Sequence, residues 1–122
     1  MRIFKTKVFA RFAQGQRIRD RELREAVERA GRGLIDADLG GGVIKQRVAR
    51  EGQGRSGGFR VLLAFRSQDR AVFIYGFAKN ERNNIDGKEL KTLREIAAAW
   101  LAATIQHIER EVTNGRLREV PE

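Results

Sequence analysis

Cysteine is absent from this chain of 122 residues, and histidine, tryptophan and tyrosine each occur once. Without cysteine, disulfides, zinc ribbons and thiol nucleophiles are excluded. A lone histidine, His107, argues against a histidine-based metal site. No apolar run approaches the roughly 18 residues of a membrane span. Charges interrupt the N-terminal MRIFKTKVFARFA every few residues, which leaves no apolar core for a secretory signal. No G-x-x-x-x-G-K-[ST] phosphate loop is present. There is no internal repeat and no sign of a second domain. The expectation is a soluble cytoplasmic protein, with residues 1–115 forming one domain and residues 116–122 a C-terminal tail.

What the chain has in excess is positive charge. It carries 25 Lys and Arg against 16 Asp and Glu, a net charge of +9. The hydrophobic fraction of 41% is enough for a folded core. Between Lys45 and Arg70 lie seven cations (Lys45, Arg47, Arg50, Arg55, Arg60, Arg66 and Arg70) and only two anions, Glu51 and Asp69. That stretch is also rich in β-forming residues. A small sheet with this charge fits a polyanionic partner, most simply nucleic acid.

The element order reads βααβββα. Arg2–Lys5 is a short strand, and Thr6 caps a helix to about Gln14 with Val8, Phe9 and Phe12 on one side. Asp20 starts a second helix, in which Leu23, Ala26, Val27 and Ala30 keep helical spacing up to Gly31 and Gly33. Residues 34–42 read as a glycine-rich loop. Strands follow at 43–49, 59–66 and 71–78, the second with Phe59, Val61, Leu63 and Phe65 on one face. The last strand is nearly all apolar, so it is central or covered on both faces. Asp86 and Glu89 make a capping box for a final helix. Its stripe of Leu90, Leu93, Ile96, Ala97, Trp100, Leu101, Thr104, Ile105, Ile108 and Val112 spans about six turns. This helix outruns the strands, so its far end is expected to overhang them and meet a partner.

Strand alternation places Lys45 and Arg47 on one face, and Arg60 and Arg66 opposite the apolar face of their own strand. With helices on the apolar side, Lys45, Arg47 and Arg60 converge on the other and can neutralise phosphates. Arg50, Arg55 and Arg66 extend the candidate RNA-binding set. Gly57 and Gly58 allow close backbone approach before Arg60. Beyond the last strand, Glu81 is a candidate general base, with Lys79 and Arg82 as phosphate contacts. Solvated charges and an ordinary polar loop are the alternatives for these residues. His107 reads as a rim residue, and Trp100 and Tyr75 as structural.

Gly58-Phe59-Arg60-Val61-Leu62 resembles the glycine-aromatic-arginine-valine strand of RelE/HigB-like toxins of bacterial type II toxin–antitoxin systems. Ile44-Lys45-Gln46-Arg47 is similar to the basic strand of that family, and Phe77-Ala78-Lys79-Asn80-Glu81-Arg82 to its strand-ending segment. The resemblance runs from about residue 2 to 101. It implies an α+β fold, a small mostly antiparallel sheet with two N-terminal helices and one long C-terminal helix. It also implies a ribosome-dependent mRNA endonuclease that uses the RNA 2′-hydroxyl, with no metal or cofactor. Lys45, Arg47 and Arg60 would bind phosphate, with Lys79, Arg82 and Glu81 beside them. The implied partners are a cognate antitoxin of helix-turn-helix type, the ribosome and mRNA, with no membrane. A homodimer through the last helix is a further possibility. Where many relatives carry arginine after the last strand, this chain has Asn80. No tyrosine or histidine follows it, which leaves the general base open. A non-catalytic nucleic-acid-binding or antitoxin-binding module of the same fold is the alternative.

Overall fold

Thr6 closes the first strand and opens the first helix in one step. Its Oγ1 accepts the Phe9 amide at 3.2 Å, satisfying one of the free donors at the start of helix α1. The computed structural model describes residues 1–50, 54–82 and 84–122, with backbone alone for 54–56. Strand β1 is Arg2–Thr6, and α1 (Lys7–Gly15) and α2 (Asp20–Gly31) follow. Strands β2 (Ala37–Gly40), β3 (Val43–Arg50), β4 (Gly54–Arg66) and β5 (Arg70–Ala78) come next. The chain ends with α3 (Gly87–Ala102), α4 (Ile105–Thr113) and β6 (Leu117–Glu119). The fold is α+β, with one sheet of order β2-β3-β4-β5-β1-β6. Only the β1–β5 pair is parallel; every other neighbour is antiparallel.

Helices cover both faces of the sheet. On one, Phe9 and Ala13 of α1 and Leu23, Ala26 and Val27 of α2 pack on Ile44, Val48, Phe59, Val61, Leu63 and Phe73. Gly76 belongs to this face, and a Cβ there would run into the Phe12 ring, so the strand needs glycine for α1 to close down. Val8, expected on the buried side of α1, is exposed. On the other face, Leu93 and Ala97 of α3 and Ile108 of α4 pack on Val43, Leu62, Ala64, Val72, Ile74 and Phe77.

Three expectations fail for physical reasons. Residues 34–42 are not all loop: Gly40, Gly41 and Gly42 all take positive φ and make the turn that folds Ala37–Gly40 back onto β3. The final helix is not continuous. Ala103 is extended at ψ 140, and Thr104 Oγ1 accepts the His107 amide at 3.1 Å to begin α4. A threonine that fits an apolar stripe also caps helices, and here capping wins. The chain turns at that break, so Ile108 is 1% exposed rather than overhanging. The third correction concerns the expected tail, residues 116–122. Leu117–Glu119 pairs antiparallel with β1, and Leu117 and Val120 are buried.

Two arginines of the β4–β5 hairpin fix the break. Arg70, 5% exposed, donates from Nη1 to the Trp100 and Ala103 carbonyls at 2.7 and 2.8 Å. Arg66 Nη2 reaches the Leu101 carbonyl at 2.8 Å. Cations on the last carbonyls of a helix suit its dipole. We expect Arg70→Leu to cost about 1.5–3 kcal/mol, because it strips a charged donor from two partly buried carbonyls. Exposed Arg66→Ala should cost about 0.5 kcal/mol. Urea unfolding of both variants checks this, and equal losses would contradict it.

Candidate functional site

The β3–β4 register sets two cations face to face. Arg47 lies opposite Arg60, and Lys45 opposite Leu62, on the face that carries Phe77 and the α3 core. Lys45, Arg47 and Arg60 are therefore brought together as the alternation predicted. Arg47 is exposed, Lys45 half-buried, and Arg60 buried at 8% exposure. Burial was not foreseen for Arg60, which had been expected on an open face. Strand alternation assigns Arg60 a face and says nothing of what covers that face. Burial pushes the Arg60 pKa down from its usual value, and Arg47 pushes it further, while Asp36 acts in the opposite direction.

The strand bearing these cations is held at its edge. β2 pairs only with the start of β3, as far as Lys45. Past that point, Asp36 Oδ2 accepts the Arg47 amide at 2.6 Å, and Arg29 Nη2 donates to the Arg47 carbonyl at 2.5 Å. Gln46, fully buried, points the other way. Its Nε2 donates to the Ala26 and Leu34 carbonyls at 2.9 and 3.1 Å, and its Oε1 accepts the Asp36 amide at 2.8 Å.

Beyond β5, Arg82 is clamped. Its Nη2 and Nη1 meet the two Glu89 oxygens at 2.6 and 3.0 Å, a bidentate pair across to α3. Nη1 also donates to the Tyr75 hydroxyl at 3.2 Å and Nε to the Asn84 carbonyl at 2.9 Å. The guanidinium lies 5.6 Å from the Phe77 ring centroid. Every nitrogen of Arg82 has a partner, so this candidate phosphate contact also braces Tyr75 and α3. Lys79 and Glu81 are exposed in the turn between Arg82 and the strand.

Tyr75 and Glu89 are the residues that sequence reasoning passed over here. Plain alternation along β5 groups Tyr75 with Ala71 and Phe73. A bulge breaks it: Leu62 pairs with Tyr75 and Leu63 with Phe73, leaving Ile74 extra. Tyr75 thereby joins Phe77 on the cationic face. Glu89 appeared in the sequence only as half of a capping box, which it does form with Asp86.

Other candidates lie elsewhere. Arg66 sits at the far end of β4, six residues or about 20 Å along the strand from Arg60, engaged with Asp69 and α3. Arg50 is on the opposite face, 5.4 Å from the Phe59 centroid. The Arg55 side chain lies outside the described residues. Trp100 is half-buried and stacks on His107, which keeps His107 at a rim. Among the described residues no group of His, Asp or Glu is arranged to hold a metal ion.

The Arg82 pair makes a pH prediction. The hydrogen-bonded Arg82 guanidinium holds the Glu89 carboxyl at about 2, well below the usual range, with help from the Asp86 amide. A depressed folded-state value means the pair supports the fold above the unfolded pKa of about 4.5 and is lost as pH falls toward 2. In a carboxyl-carbon NMR titration Glu89 should stay ionised through pH 4. Arg82→Met should return it to the ordinary range, and an unmoved midpoint in that variant would refute the clamp.

No described helix is long and apolar enough to cross a membrane. The family model described as the RelE toxin of the RelE/RelB toxin–antitoxin system matches residues 1–120, a span that takes in strand β6 as well as the cationic face. A match over nearly the whole chain places this protein in the RelE toxin family, the toxin half of a toxin–antitoxin pair.

Proposed function

We propose that the protein is a ribosome-dependent mRNA endonuclease that cleaves through the RNA's own 2′-hydroxyl. The observation that carries this reading is the Arg47–Arg60 pair. Like charges directly across a ladder oppose folding, and one of these is desolvated as well. A fold retains such an arrangement most readily where an anion is meant to sit between the cations.

In the proposed step a base takes the proton of the 2′-hydroxyl, and that oxygen attacks the adjacent phosphorus. The bond to the 5′-oxygen breaks and the leaving oxygen takes up a proton, giving a 2′,3′-cyclic phosphate and a 5′-hydroxyl end. Arg60, with its fork geometry, stabilises charge on the phosphoryl oxygens, and Arg47 and Lys45 hold the strand. Tyr75 is the proton-transfer group on this face, with its hydroxyl oriented by Arg82. Glu81, in the exposed turn, is the second candidate base. Lys79 is a flanking phosphate contact.

The antitoxin is proposed to be a helix-turn-helix protein. Ile96 of α3 and Ile105 of α4 are 38% and 55% exposed, and this apolar surface is the proposed contact for the antitoxin or a second copy of the chain.

Arg47→Ala is the cleanest test because Arg47 is exposed. We expect its melting temperature to match wild type and cleavage of ribosome-bound mRNA to fall about 10²-fold or more. Arg60 calls for Arg60→Lys, since truncating a buried side chain would also disturb packing. Lysine keeps the charge and loses the fork, so its cleavage rate should fall comparably. Full cleavage by both variants would refute the site. RNA binding without cleavage by wild type would favour the non-catalytic module.

A further inference from the structure

A second cationic cavity lies on the opposite face of the sheet, at the end where β3 and β4 meet the α1–α2 turn. It encloses about 510 Å³ and is lined by Gln16, Arg17, Arg19, Glu22, Arg50 and Phe59. That volume falls in the range of small-ligand sites. Three arginines meet here, and none of them has an ion pair or a side-chain hydrogen bond with a described residue. Several arginines elsewhere are engaged within the fold, so the clustering of three such cations in one cavity, rather than the lack of partners alone, is the feature. Arg2, Arg29, Arg82 and Arg116 are in ion pairs, and Arg70 and Arg94 are bonded to carbonyls.

The cavity has features beyond charge. Arg17 takes φ +59, a left-handed conformation that a non-glycine residue adopts at a cost. The start of α2 adds the positive end of a helix dipole. Glu22 is the one anion in the lining, and its carboxylate already accepts the Arg19 amide at 3.3 Å. Arg50 lies over the Phe59 ring, 5.4 Å from its centroid, and a guanidinium is a plane on which an unstacked base can also stack.

The geometry also connects this cavity to the Arg47–Arg60 face. Arg47 and Arg50 lie on one strand, three residues or about 10 Å apart, and serve opposite faces. β2 stops at Lys45, so among the described residues no strand pairs with that edge of β3 beyond it, and there only Asp36 and Arg29 hold the Arg47 backbone. We propose that the cavity is a second RNA subsite. It takes the phosphate and base of a nucleotide flanking the one at Arg47–Arg60, so that a single strand passes around the end of β3 that β2 does not pair. This rests on the reading of the Arg47–Arg60 face as an RNA site.

Fluorescence anisotropy with a tetranucleotide and a dodecanucleotide RNA tests both readings separately. The tetranucleotide reaches one face only. Wild type should bind the longer RNA more tightly, and R17Q/R19Q/R50Q should lose about tenfold of that gain or more. The salt slope for the longer RNA should fall by about 2 with these three cations gone. Binding of the tetranucleotide should be unchanged in this variant and lost in Arg47→Ala. R17K/R19K/R50K, which keeps the charges, should retain the salt slope and most of the length gain, a readout that survives if the glutamine variant fails to fold. Undiminished binding of the longer RNA by R17Q/R19Q/R50Q would overturn the subsite and leave the Arg47–Arg60 reading standing. Failure of wild type to bind either RNA at low salt would overturn both. A free 5′-mononucleotide that saturates the cavity, with no affinity gained from RNA length, would also overturn the proposed strand path.

Discussion

Gln46 decides which way the cations point. A strand has a side-chain period of two, so sliding β3 by one residue would exchange its faces completely. In the observed register the amide of Gln46 is buried between α2 and β3, with both of its ends satisfied by Ala26, Leu34 and Asp36. In the slipped register Lys45 or Arg47 would enter that apolar space without such partners, at the heavy cost of a buried unpaired charge. The same amide ties down the Leu34–Asp36 segment, and Asp36 then takes the Arg47 backbone. One neutral polar side chain thus sets the strand register, the neighbouring loop and the outward direction of the charges on either side of it.

The remaining positive charge divides into two kinds of work. One set substitutes for missing backbone partners where the chain is irregular. Arg70 and Arg66 finish α3, Arg94 holds the Leu39 carbonyl of β2 against α3, and Arg24 takes the carbonyl of Pro121 at 2.5 Å. These cations satisfy acceptors that would otherwise be left without donors. The other set, Arg47 on β3 with Arg17, Arg19 and Arg50 at the cavity, has no such bond with a described residue and gives this end of the sheet a positive field. Basic composition alone does not distinguish the two sets.

Regular elements with local signals were legible in the sequence. The Thr6 cap, the Asp86–Glu89 box, the helical spacing through Leu23, Ala26, Val27 and Ala30, and the strands around Val61 and Phe73 all rest on neighbours within a few residues. Elements that depend on distant partners were not. β2 contains Asp38 and Gly40 and is a strand only because β3 lies beside it, and β6 exists only because β1 has an open edge. The candidate site shows the same division. Alternation was enough to bring Lys45, Arg47 and Arg60 to one face, because β3 is regular there. Tyr75 was hidden by a bulge, which inserts a residue and changes the parity of everything after it. The burial of Arg60 was hidden because alternation gives the face of a side chain and not what packs over it.

Strand β1 lies between β5 and β6, so the first residues of the chain are enclosed by the middle on one side and by the end on the other. Arg2 is fastened to Glu119 through two hydrogen bonds of 2.8 Å. A sheet closed by contacts so distant in sequence is expected to form late in folding, because the cost of closing the long loop comes before the contacts that reward it. Phe4 and Leu117, members of one core, meet only at that step.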